Sequence, residues 1–271
     1  MSIEPSSPVQ RPFLNRLVSG LKTVGPSALV FILIIGVMEL IMWRELVSPF
    51  VMAAPSKIIP RLFEDASYYG LHFGVTLLEV AGGFALSVVV GIPLAAAMAS
   101  WLRVRRSLLP VVVLTQVLPK MAIVPVILLV MGSRIQSKIV IGFVVAFFPI
   151  VINTYVGLVN VETAKMHLVK AMGATPFQIF RKVRLIAALP SMFAGFKLAA
   201  TLCVVGALIG EIMGPYKGMG WIVTVGNYNH DMPLFWGAMV LLAMMGLGAF
   251  GAMQILERIT IPWHVSQRER G

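Results

Sequence analysis

The chain is short of acid. Only 11 Asp and Glu stand against 22 Lys and Arg in 271 residues, and charged residues make up 12% of the total. A soluble domain carries nearer a quarter, so the composition excludes one and points to an integral membrane protein. The basic excess could suit nucleic acid, but the cations fall in short clusters between apolar runs and form no single basic surface. No nucleic-acid partner is expected. Cysteine is almost absent: Cys203 stands alone in an apolar run, which excludes an internal disulfide and says little about compartment. The histidines His72, His167, His230 and His264 are scattered without the spacing of a metal site. There is no Gly-x-x-x-x-Gly-Lys-Ser/Thr phosphate loop, so any ATP hydrolysis belongs to another subunit. Gly246-Leu-Gly-Ala-Phe-Gly251 spells a dinucleotide fingerprint, but without a preceding strand the match is accidental. No carboxylate in an apolar run has a histidine beside it, so an intramembrane enzyme is not expected, nor a cofactor.

What fills the chain is apolar sequence. Runs at 26–43, 73–101, 108–131, 139–159, 189–212 and 234–256 approach or exceed the roughly 20 residues that cross a bilayer. The expected fold is all-α, an integral membrane protein with six transmembrane helices. The first run is longer than a signal-peptide core of about 7–15 residues, so it reads as a retained span. Residues 1–24 read as an N-terminal tail, 25–258 as the transmembrane domain and 259–271 as a C-terminal tail. Between the first two runs, residues 48–71 should include a short surface helix. Fourteen basic residues fall on the side of the N-terminus and six on or near the other. The positive-inside rule then puts both termini, and the loop at about 160–188, in the cytoplasm.

That loop is the longest basic, helix-patterned segment. Residues 164–172 are good helix formers, and Gly173 sits where a left-handed residue ends a helix. Thr175-Pro-Phe-Gln178 restarts one, with threonine as N-cap, proline at the first helical position and glutamine placed for a capping box. Phe177 and Phe180 lie three apart, and Ile179 and Val183 four apart, while Arg181, Lys182 and Arg184 stay wet.

Gly173, the Phe180-Arg-Lys182 run and Ala188-Leu-Pro190 together resemble the EAA loop of the permease subunits of bacterial ATP-binding-cassette importers. His167-Leu-Val169 stands where that pattern has Glu-Ala-Ala. The resemblance runs from Ala54-Pro-Ser-Lys57 to Pro262-Trp263 and is nearest the nitrate, sulfonate and taurine permeases; Gly210-Glu-Ile-Met-Gly214 and Gly218-Met-Gly220 also fit that branch. It implies a multi-pass protein of the bacterial inner membrane. It implies a second permease copy, a pair of cytoplasmic ATP-binding subunits and an extracytoplasmic solute-binding protein as partners. Lys170, Ala171, Gly173, Ala174, Thr175, Phe177, Phe180 and Arg181 would contact the ATPase. The solute would be small, organic or anionic: nitrate-, sulfonate- or taurine-like, or an aromatic or heterocyclic compound. The alternative is a stand-alone secondary transporter or channel, for which no internal repeat is found.

Ionisable residues inside apolar runs are costly and face protein or water. Glu39, Glu79, Lys120, Lys197 and Glu211 qualify, and structural ion pairing is the plain reading for each. Lys120 falls at the centre of the third run, where Glu79 is a possible partner; the alternative is that it meets solute. Pro93, Pro110, Pro119, Pro125 and Pro149 should bend their helices. Glu79, Pro119, Lys120, Pro125, Lys197 and Glu211 are the candidate pathway residues. Gly206, Gly210 and Gly214 make a stripe for close helix packing.

Overall fold

The computed structural model describes residues 29–214 and 217–262, and all regular elements among them are helices. Five of the fourteen basic residues counted on the side of the N-terminus, Arg11, Arg16, Lys22, Arg268 and Arg270, and the start of the first run lie outside these residues. In chain order the helices are α1 (Leu29–Trp43), α2 (Pro55–Glu64), α3 (Ala66–Ser100), α4 (Leu102–Val117), α5 (Lys120–Met131) and α6 (Ile135–Val159). Then come α7 (Thr163–Ala171), α8 (Pro176–Ile179), a π-helical turn (Phe180–Arg184), α9 (Leu185–Met213), α10 (Met219–Tyr228) and α11 (Met232–Thr260). The surface helix expected between the first two runs is α2.

Helices α3, α6 and α11 and the continuous segment Pro176–Met213 are each long and apolar enough to cross a membrane. Of the six expected spans, the third is broken as well as bent. There α4 and α5 meet at 97°, and the pair counts as a fifth span only if taken together. Pro119 clashes with a helical residue before it, which drives Leu118 to ψ 132°; Pro119 itself is extended at ψ 100°. By contrast Pro93, Pro110, Pro125 and Pro149 lie inside uninterrupted helices.

α6 is the axis. A Cβ on Gly83 would lie 3.2 Å from Gly142, and one on Gly206 would lie 2.8 Å from Gly142 Cα. Three helices therefore meet backbone to backbone, with small residues supplying the contact. The glycine stripe of α9 packs as its spacing predicts, Gly206 and Gly210 both against α6. Contacts along the seams fix direction. Gly82 meets Ile139 and Gly91 meets Ile150, so α3 and α6 run parallel. Gly157 meets Ala188 and Gly195 meets Asn153, so α9 runs back against α6. A parallel α3 and α6 require the segment between them to return the chain from one end of the bundle to the other. Bent or not, α4–α5 makes that journey. The bundle thus has a hairpin end, with Ser100, α7 and α8, and a far end with Tyr69, Lys138 and Gly218.

Candidate functional site

Three places carry chemistry. The first is the hairpin of α7 and α8. Gly173 has φ +76° and nothing within 4 Å of a built Cβ, so glycine is required by backbone conformation and not by space. Thr175 Oγ1 accepts from Gln178 N–H at 3.3 Å while Gln178 Oε1 accepts from Thr175 N–H at 2.9 Å, completing the capping box. The second short helix is not separate: it runs through the π-helical turn into α9 as one 38-residue rod, Pro176–Met213. Phe180 packs at the edge of the Leu158, Ala188 and Met192 cluster, which ties the hairpin to the bundle. Its tip is apolar and uncovered, with Leu168, Met172 and Phe177 each more than half exposed. Lys170, Ala171, Thr175 and Arg181 are exposed around them and Ala174 is half-buried. Apolar surface of this kind on a basic loop marks a contact site.

The second place is the break between α4 and α5. Lys120 Nζ donates to Gln116 Oε1 at 3.0 Å and to Val145 O at 3.4 Å. Glu79 is not its partner, which corrects the pairing expected from sequence. Nor does its depth follow from a straight third span. It follows from Val145, ten residues into the 25-residue α6, or about 15 Å from one end and 21 Å from the other. The ammonium is therefore near mid-depth, with neutral partners only among the described residues. Gln116 and Pro119 beside it are exposed, and Pro125 follows within α5.

The third place is a buried polar cluster at the far end. Lys138, one residue before the apolar run at 139–159, is 3% exposed within α6, and its Nζ lies 3.3 Å from Glu79 Oε1. Lys138 Nζ also donates to Lys217 O at 3.1 Å. Glu211 is fully buried; Thr76 Oγ1 donates to its Oε1 at 2.6 Å and Gly220 N–H to its Oε2 at 2.7 Å. Met219 N–H donates to Thr76 Oγ1 at 2.8 Å, and Gly218 N–H to His72 Nδ1 at 3.0 Å. Side chains of α3, α6 and α9 thus hold the turn that carries the chain into α10. Gly218 (φ +109°) and Gly220 leave no room for a Cβ beside Glu211. Sequence reasoning found Glu79 and Glu211 but missed Lys138, His72 and Thr76. The usable signal was that Glu79 and Lys138 both lie near the far-end starts of their runs. Lys197 stands apart, 2.6 Å from Glu257 of α11. Glu39 forms no ion pair among the described residues; it accepts from Ser56 N–H at 3.0 Å and Ser56 Oγ–H at 2.6 Å.

Residues 87–261 match the family described as binding-protein-dependent transport system inner membrane component. The chain belongs to that family. It is a permease subunit of an ATP-binding-cassette importer, and a multi-pass membrane protein. The permease is 33% identical over 235 residues to the formylaminopyrimidine transport permease protein ThiX of Halalkalibacterium halodurans, covering 85% of this chain and 94% of that one. It is 28% identical over 219 residues to the riboflavin transport system permease protein RibX of Chloroflexus aurantiacus, covering 80% and 82%. Its fold matches a chain of the inward-facing MetNI methionine ABC transporter with a TM-score of 0.63 at 22% identity, over 70% of the permease and 95% of that chain. Membership in a binding-protein-dependent system sets aside the stand-alone transporter or channel.

Proposed function

We propose that this permease forms half of a solute pathway, with a second copy completing it. The observation that carries the reading is Lys120. An ammonium near mid-depth, beside exposed Gln116 and without a carboxylate partner among the described residues, is too costly to face lipid. It needs water or protein across from it, and a pathway between two copies supplies both. The domain spans residues 25–258 with six crossings, α1 being the first, and both termini lie in the cytoplasm of a bacterial cell. The basic hairpin end is then cytoplasmic. There a pair of ATP-binding subunits docks on Ala171 to Phe177, with Lys170, Phe180 and Arg181 at the margin. An extracytoplasmic binding protein delivers solute at the far end. Closure of the ATPase pair pushes the hairpin, and the rod from Pro176 to Met213 carries that push to Glu211. Pro119 and Pro125 supply a helix that can rebend around Lys120. Lys197 and the Glu79–Glu211 cluster border this pathway as fixed ionic joints.

The solute is a small organic or anionic compound able to accept hydrogen bonds. ThiX and RibX are named for nitrogen heterocycles, which favours a heterocycle over nitrate, sulfonate or taurine. The test is uptake by proteoliposomes holding the whole importer. Lys120→Met should assemble, hydrolyse ATP and lose uptake or change solute preference. Wild-type uptake of the same solute by this variant would remove Lys120 from the pathway.

A further inference from the structure

At the hairpin end lies a cavity of about 280 Å³ between α7, the start of the rod and the end of α3; it shares Lys170, Pro176 and Phe180 with the ATPase dock, but its other walls lie outside that dock. Its walls include Ser100 at the end of α3, Met166 and Lys170 of α7, and Ile179, Phe180 and Arg184 at the start of the rod. Two of these are cations and none is acidic. Lys170 has no ion pair among the described residues, and the Arg184 guanidinium makes one hydrogen bond there, Nη1 donating to Ala99 O at 3.4 Å. The 38-residue rod begins at Pro176, which also lines the cavity, so the positive end of its dipole adds to the two side chains. Trp101, 62% exposed, follows Ser100 directly. Tryptophan collects at the headgroup level of membranes, and its place beside Ser100 favours a cavity mouth at that level. Leu102 and Ile186, 54% and 46% exposed, flank it in sequence with bare apolar surface.

We propose that this cavity holds the headgroup of an anionic phospholipid, its phosphate between Lys170 and Arg184 and its acyl chains along Leu102 and Ile186. The cavity is polar and positive where a phosphate would lie, and its apolar wall of Met166, Ile179 and Phe180 suits the glycerol and upper chain. A basic pocket between helices on the cytoplasmic side is a known form of lipid recognition. Because α7 and the rod both line the cavity, a lipid there braces the hairpin against α3. The assignment rests on the hairpin end being cytoplasmic.

The test titrates spin-labelled phosphatidylglycerol into phosphatidylcholine nanodiscs holding the full chain, and reads the motionally restricted fraction. Wild type should select phosphatidylglycerol over spin-labelled phosphatidylcholine. The pair Lys170→Gln and Arg184→Gln should weaken that selection by about 25-fold, on the usual contribution of each basic residue near a charged surface. The pair Lys165→Gln and Lys182→Gln removes the same charge outside the cavity and should change it far less. Equal loss in both pairs overturns the proposal in favour of general surface charge. Displacement of the lipid by millimolar inorganic phosphate overturns it in favour of a free anion, and release on adding the ATP-binding subunits gives the cavity to an acidic group of that partner. The readout needs neither transport nor hydrolysis, so uptake that fails while lipid selection persists counts against the pathway reading alone.

Discussion

Glu79 and Lys138 are 1% and 3% exposed, and neither can be left alone. Lys138→Met strands Glu79 in the packed far end, where breaking a buried pair costs about 3–5 kcal/mol. Thermal unfolding in detergent should show that loss, and adding Glu79→Gln should recover much of it. A Lys138→Met variant as stable as wild type would mean the pair contributes little. Gly173 makes the opposite case. Its surroundings are empty, so Gly173→Val meets no clash, only the penalty for a β-branched residue at φ +76°. The variant should insert and fold yet lose uptake linked to ATP, and uptake at the wild-type rate would remove the hairpin turn from coupling. Gly173 was legible because a left-handed stop followed by Thr-Pro-x-Gln is a local signal. Lys138 was not, because charge near the start of an apolar run reads as a boundary. Only the partner on α3 shows that the residue is inside, and no local pattern names a partner 59 positions away.

At the scale of elements, the capping box fixes where the rod begins. Thr175→Ala should cost about 1 kcal/mol of local stability and speed amide exchange over residues 175–180, with α9 unchanged; slow exchange there would deny the cap its role. The long helices and the glycine seam followed from period and length, because apolar runs and small-residue spacing are read directly off the chain. The break at Pro119 did not. Five prolines were alike in sequence, and the packing around them differs. α3, α6 and α9 are held along their lengths by one another, whereas α4 and α5 bury only Val112 and Val124. A helix packed on one side has less to hold Leu118 in the helical region against its proline. α10 was missed for a related reason: ten residues are too few to stand out in sequence, and its turn is held by side chains from the distant α3 and α6 as well as from α9 just before it.

At the scale of the molecule, parallel α3 and α6 relate the two ends of the bundle, and the direction proposed for them from the basic clusters is open to labelling. Ser67→Cys at the far end should be labelled by an impermeant thiol reagent from outside, and Lys182→Cys only after the membrane is opened; Cys203 is fully buried and should stay silent. The central claim is that ATP, acting through the hairpin, changes access to Lys120. The direct measurement is the rate at which an impermeant thiol reagent modifies Gln116→Cys, at the position that accepts from Lys120 across the break, in the whole importer. Without nucleotide the site should react from the hairpin side. With ATP and vanadate that rate should fall at least about tenfold while reaction from the far side rises, and Gly173→Val should abolish the change. A rate independent of nucleotide, in an importer that still hydrolyses ATP and takes up its solute, would contradict the account.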